Sequence, residues 1–357
     1  MEYSIKNIHR IVYAGKGGKG GNPMNDRAVS MLENYELNVL RTYRGRSAII
    51  CETDQGLKVL REYRGTEDRI ARIDQLLRTV REKSGYLLDA YIQNKEGSYL
   101  CRDREQNTYL LKDYYEGKEC VPVDMSDIGM AFAHMAKLHK VMRVPIDAED
   151  VLPQGNSGLL HEIHKRNAEL KRGKKFIRGR ANRSNFENFL LINYDFFLKK
   201  ALAIEEQLEQ EDFGEYNRRV LEEGAFCHGD FQYHNIVFTS SGPAVMNFEK
   251  FQWDSGIRDF SLFFRKVMEK NGWDLGCAEV CVENYLKERG LSEAEKKLLI
   301  YRLSYPEKFW KIVNFYINSR KSVVMERNTD KLKKVMEQES LREKGISFLE
   351  SLLYNHT

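Results

Sequence analysis

The sequence predicts an α+β chain in two lobes, a small strand-rich one followed by a larger, mostly helical one. Three observations predict it. Short β-branched and aromatic runs separated by turn residues occupy residues 37–61. After Gly117, apolar residues recur mostly at helical spacing. Only six prolines interrupt 357 residues, which leaves room for long helices.

Composition narrows the class. A net charge of +4 gives no electrostatic case for a nucleic-acid binder. With 42% hydrophobic and 31% charged residues, the chain has the apolar content for a core. No run approaches ~18 consecutive apolar residues, so no membrane span is expected. The segment MEYSIKNIHRIVYAG has no apolar signal-peptide centre, which predicts cytoplasmic synthesis. The six cysteines are scattered without a CxxC pair, as expected of reduced thiols used as small apolar side chains.

Residues 1–34 form an N-terminal segment whose run Gly15-Lys16-Gly17-Gly18-Lys19-Gly20-Gly21 is expected to be a flexible basic loop. A phosphate-cradling P-loop needs Ser or Thr after its lysine and then a helix. Here glycine follows both Lys16 and Lys19, and Asn22-Pro23 oppose a helix start.

Residues 35–117 read as the small lobe. Strands are expected at 37–43, 47–53 and 57–61, with turns at Arg44-Gly45-Arg46 and Asp54-Gln55-Gly56. A helix from Thr66 to about Arg81 follows, with Ile70, Ile73, Leu76, Leu77 and Val80 on one face and Thr66 as its cap. Two short strands fit 99–101 and 108–111, and a linker fits 112–117.

Residues 118–357 read as the helical lobe. Helices are expected at 125–141 with Ser126 as cap, then 185–210, 258–270, 275–289, 292–319 and 329–354. The Lys/Arg-rich stretch 161–183 is expected to present a solvated face.

The chemistry-bearing segment is His228-Gly229-Asp230-Phe231-Gln232-Tyr233-His234-Asn235, which leads into a hairpin turning at Ser240-Ser241-Gly242-Pro243. The return strand ends on Asn247 and Glu249. Such a hairpin gathers oxygen ligands and a base at one spot, as phosphoryl transfer requires. Asp230 is the candidate base for an attacking hydroxyl, and the Asn235 carbonyl suits Mg²⁺ without adding charge.

His-Gly-Asp-x-x-x-x-Asn, followed by a hairpin and then a strand ending in an acidic residue, resembles the catalytic segment of aminoglycoside phosphotransferases and choline kinases. Ala136-Lys137-Leu138-His139 resembles their Leu-His helix end, and Leu110 to Gly117 their interlobe linker. Thr53-Asp54-Gln55-Gly56, Arg258-Asp259-Phe260, Asn271-Gly272-Trp273-Asp274 and Tyr305-Pro306-Glu307-Lys308-Phe309-Trp310-Lys311, in that order, resemble more narrowly the CotS family of spore coat proteins.

The resemblance implies a bilobal protein-kinase-like fold, with ATP and Mg²⁺ as cofactors. It implies Asp230 as catalytic base, Asn235 and Asn247 at the metal positions, and Asp259 bracing the catalytic loop, with His228 as structural support. Lys112, Asp113 and Tyr114 fall in the linker whose backbone meets adenine. Arg61 falls where the family has its phosphate-pairing lysine, with Glu67 or Asp68 as its acidic partner. Two departures stand out: arginine replaces that lysine, and Asn247 replaces a metal-binding aspartate. Magnesium dependence is therefore expected to be weak. The expected function is a spore-coat-associated kinase-like binding or assembly module with weak or no phosphotransfer, with other coat proteins as partners. The alternative is an active ATP-dependent phosphotransferase on a hydroxyl of a small molecule or coat component.

Overall fold

A computed structural model describes residues 29–45, 48–144, 158–319 and 325–355. The Gly-rich run at 15–21 lies outside the described residues. The chain divides into two compact units, one through Glu119 together with His234–Lys250, the other Cys120–Tyr233 together with the chain from Phe251 onward. The hairpin that the sequence assigned to the helical lobe thus belongs, from His234 to Lys250, with the first unit.

The first unit holds strands β1 (Val39–Gly45), β2 (Ala48–Thr53) and β3 (Gly56–Glu62), helix α1 (Glu67–Ser84), and strands β4 (Leu87–Leu88), β5 (Tyr91–Ile92), β6 (Leu100–Arg102), β7 (Thr108–Asp113), β8 (Lys118–Glu119), β9 (Ile236–Thr239) and β10 (Gly242–Val245). An antiparallel sheet runs β1-β2-β3-β7-β5, with β6 also on β7, and a second sheet runs β4-β10-β9-β8. Alternation turns Ile49, Cys51, Leu60, Tyr109 and Leu111 into a common core with Val29, Leu32 and Tyr35. Helix α1 buries the expected face, is capped by Thr66 and stops at Gly85 with φ 70°. Strand β7 continues through Asp113, so Lys112 and Asp113, expected in the linker, are strand residues. Backbone pairing with Val59 and Lys58 of β3 extends the strand that far.

The second unit holds helices α2 (Met125–Val141), α3 (Gly158–Arg178), α4 (Asn185–Glu209), α5 (Gly214–Glu222), α6 (Ile257–Lys270), α7 (Leu275–Glu288), α8 (Glu293–Ser304), α9 (Glu307–Asn318) and α10 (Met325–Asn355). The cap of α2 is Asp124, which accepts from Ser126 and Asp127 N–H, not Ser126. Residues 292–319 form two helices, not one. Pro306 has no N–H to continue α8, and Tyr305 before it is extended at φ −64°, ψ 134°. The core is aromatic: Phe132 stacks on Phe263 at 4.9 Å, and Phe260 meets Tyr285 edge-on at 4.8 Å. All six cysteines are free and buried.

Candidate functional site

The first unit carries a buried polar cluster at the end of its hairpin. Strand β10 ends at Val245, and Asn247 follows with φ 73°, a left-handed conformation that asparagine tolerates better than most residues. Met246 N–H donates to the Asn235 carbonyl at 2.9 Å, which ties the hairpin's two ends together. The Asn247 amide nitrogen then donates to Asn235 Oδ1 at 2.7 Å. The Asn247 Oδ1 atom accepts from Arg61 at 2.7 Å and from Lys112 Nζ at 3.0 Å.

Lys112 Nζ also donates to Glu249 Oε1 at 2.6 Å and to Asp89 Oδ2 at 3.0 Å. Asp89 is fully buried and accepts from the backbone N–H of Asn247 at 2.6 Å and of Phe248 at 3.1 Å. Burial pushes the Asp89 carboxyl up, against the pull of Lys112. For Glu249 burial is outweighed by Lys112 and then Arg61, which hold the carboxyl down at about 2. Arg61 lies 3.7 Å from Glu249.

Several expected positions take other partners. Glu67 Oε1 accepts from Tyr99 N–H at 2.8 Å, in the first turn of α1, and neither Glu67 nor Asp68 pairs with Arg61. Asn247 and Glu249 are the partners of Arg61 instead. Lys58 bonds to Asp113 at 2.6 Å. The backbone N–H groups of Asp113 and Tyr114 donate to Ala90 and Leu57 carbonyls at 2.9 and 3.0 Å. Asp89 lies outside the motifs named above. Its signal is a single charge in an apolar run, Leu87-Leu88-Asp89-Ala90-Tyr91, whereas Lys112 is followed directly by Asp113. A charge so placed is seldom buried unless it is paired.

The second unit carries the loop with His228, Gly229 and Asp230. Asp259, in the first turn of α6 and fully buried, accepts from His228 N–H at 2.6 Å and Gly229 N–H at 2.8 Å. Gly229 has φ 75°, which suits glycine at the bend. Asp230 N–H donates to His228 Nδ1 at 3.1 Å, and Gln232 Nε2 donates to Asp230 Oδ1. His139 Nε2 lies 3.5 Å from Asp259 Oδ2, while its Nδ1 is 2.9 Å from the Tyr285 hydroxyl. Burial alone would raise the Asp259 carboxyl. The adjacent His139 ring and the His228 N–H hold it below the usual carboxylate range.

The donor set at the expected metal positions does not fit Mg²⁺. That ion needs oxygen lone pairs, and usually one or two carboxylates. The Asn235 oxygen faces an amide N–H, and the Asn247 oxygen faces an ammonium and a guanidinium. The nearby carboxylates, Asp89 and Glu249, both bind Lys112. Among the described residues, no three His, Cys, Asp or Glu side chains are grouped to hold a metal ion.

The comparisons agree with this architecture. An aminoglycoside phosphotransferase from Alicyclobacillus acidocaldarius superposes with TM-score 0.76 at 15% identity, covering 96% of this chain and 99% of its own. The AMP-bound spectinomycin phosphotransferase APH(9)-Ia gives 0.62 at 12% identity, covering 90% and 97%. These likenesses establish a kinase-like α+β fold. Spore coat protein S of Bacillus subtilis (strain 168) is 23% identical over 262 residues, 73% of this chain and 74% of that protein. The family model described as "Spore coat putative kinase YutH" matches residues 29–349. With nearly all of its described residues inside that match, the chain belongs to the YutH family of kinase-like spore coat proteins.

Proposed function

We propose that this protein is a pseudokinase of the spore coat, a binding or assembly module with weak or no phosphotransfer, whose partners are other coat proteins. One observation carries the reading: the Asn247 oxygen accepts from both Lys112 and Arg61. Where the resembled kinases place a metal-binding carboxylate, this chain has a neutral amide satisfied by two cations. Any nucleotide it binds is therefore held with little help from magnesium.

A second reading has its own support. Asp259 holds the backbone of His228 and Gly229, the brace that an active loop needs. On that reading Asp230 accepts the proton of an attacking hydroxyl on a small molecule or coat component. Turnover of γ-labelled ATP by the purified protein separates the two. The pseudokinase reading expects hydrolysis and transfer at background, unchanged by Asp230→Ala. Turnover well above background, falling about 10²–10⁴-fold in Asp230→Ala, establishes the phosphotransferase instead.

A further inference from the structure

Lys112 is a lysine in the wrong surroundings for an ordinary lysine. Its side chain is 1% exposed. Its strand is pinned on both sides, since Lys112 pairs with Val59 of β3 and with Tyr91 of β5. An ammonium carries three hydrogens, and three oxygens surround it: Glu249 Oε1 at 2.6 Å, Asp89 Oδ2 at 3.0 Å and Asn247 Oδ1 at 3.0 Å. Each hydrogen has its acceptor. These spacings suit a charge-assisted N–H···O contact and exceed the 2.0–2.1 Å that magnesium demands.

We propose that the Lys112 ammonium is the resident cation of this oxygen cluster, standing in the place of a divalent ion, and that removing its charge turns the cluster into a divalent-cation site. The charges support this. Lys112 and Arg61 balance Asp89 and Glu249, so a divalent ion added to the intact cluster leaves two positive charges uncompensated. Without Lys112, two carboxylates face one guanidinium, and a divalent ion then leaves one positive charge uncompensated in place of two. The ligands are then in place. Asp89 and Glu249 supply carboxylate oxygens, and Asn247 supplies an amide oxygen. The second Asp89 oxygen, Oδ1, is buried with no hydrogen-bond partner and is available to make that carboxylate bidentate. The inference deepens the reading of the same cluster given above. Its test contains no nucleotide, so the two fail separately: turnover refutes the pseudokinase, and the metal response below refutes the resident cation.

The test is the melting midpoint in millimolar Mn²⁺ or Mg²⁺ against chelator, for the full chain and for Lys112→Met. The variant removes the ammonium and its charge and is one atom shorter, which leaves the place of Nζ open. Wild type is expected to move by less than about 1 °C. Lys112→Met is expected to melt lower in chelator and to regain about 5 °C or more with the ion, a gain lost in Lys112→Met combined with Glu249→Gln. An equal shift in wild type overturns the proposal, as does a folded Lys112→Met that ignores the ion. If Lys112→Met does not fold, the ¹⁵N ammonium resonances of wild-type lysines decide. One exchange-protected signal, absent from Lys112→Arg and unmoved by millimolar Mg²⁺, supports the resident cation. The absence of such a signal, or its loss on adding Mg²⁺, refutes it.

Discussion

At the residue scale, Asn247 shows how one substitution changes a site through its neighbours. An aspartate there would meet Arg61 and Lys112 and would lose its donor to Asn235 Oδ1. Asn247→Asp alone is therefore expected to leave the magnesium dependence of ATP affinity below about tenfold, or 1.4 kcal/mol. Asn247→Asp combined with Lys112→Met is expected to exceed it, and calorimetric titration of the two variants checks this. A second residue-scale case is Glu162 on α3, which contacts Arg166, Arg258 and Arg302. Burial would raise its carboxyl, but Arg302, Arg166 and Arg258 hold it down at about 2. A depressed carboxyl contributes stability above its unfolded value, near 4.5, and loses it as pH falls toward 2. Glu162→Gln should thus be less stable than wild type at neutral pH by about 3 kcal/mol. The gap should narrow as pH falls below about 4.5 and close only near pH 2, as read by denaturant titration across pH. A gap that stays constant contradicts the assignment.

At the element scale, the periodic segments were legible and the small pairings were not. Helix α1 was readable because Ile70, Ile73, Leu77 and Val80 repeat at its turn and Thr66 caps it. Strands β4 and β5 are two residues each, too short for any period. Strand β4 pairs in parallel with β10, far along the chain. That pairing brings Asp89 to Asn247, which no local pattern announces. The His-Gly-Asp motif is visible in the sequence and the Asp259 brace follows from the family resemblance, whereas the partners of Arg61 and Lys112 depend on sheet register. Gly117 offers a test of this packing. A Cβ there would lie 2.3 Å from the Phe238 carbonyl oxygen of β9. Gly117→Ala is expected to cost about 2–3 kcal/mol. Gly290→Ala, where a Cβ meets nothing within 4 Å, should change stability by less than about 0.5 kcal/mol. Equal effects in chemical denaturation would contradict the close approach.

At the scale of the whole molecule, a kinase-like fold in a spore coat family need not imply kinase chemistry, because function resides in the site and not in the fold. Asp259 braces the loop that carries Asp230, while the Asn247 amide donates to Asn235 and its oxygen accepts from Lys112. The Gly-rich run lacks the Ser or Thr of a P-loop, so deleting residues 1–28 is expected to leave any ATP affinity within about twofold. A tenfold loss on filter binding would return the run to the nucleotide site. With the Lys112 ammonium in the place of a metal ion, ATP affinity is expected to depend little on magnesium. Calorimetric titration of the full-length protein with ATP, in excess magnesium and again in chelator, measures this. The two affinities are expected within about tenfold of each other, a difference under 1.4 kcal/mol. Binding that requires magnesium, and that disappears when Glu249 is changed to Gln, would contradict it.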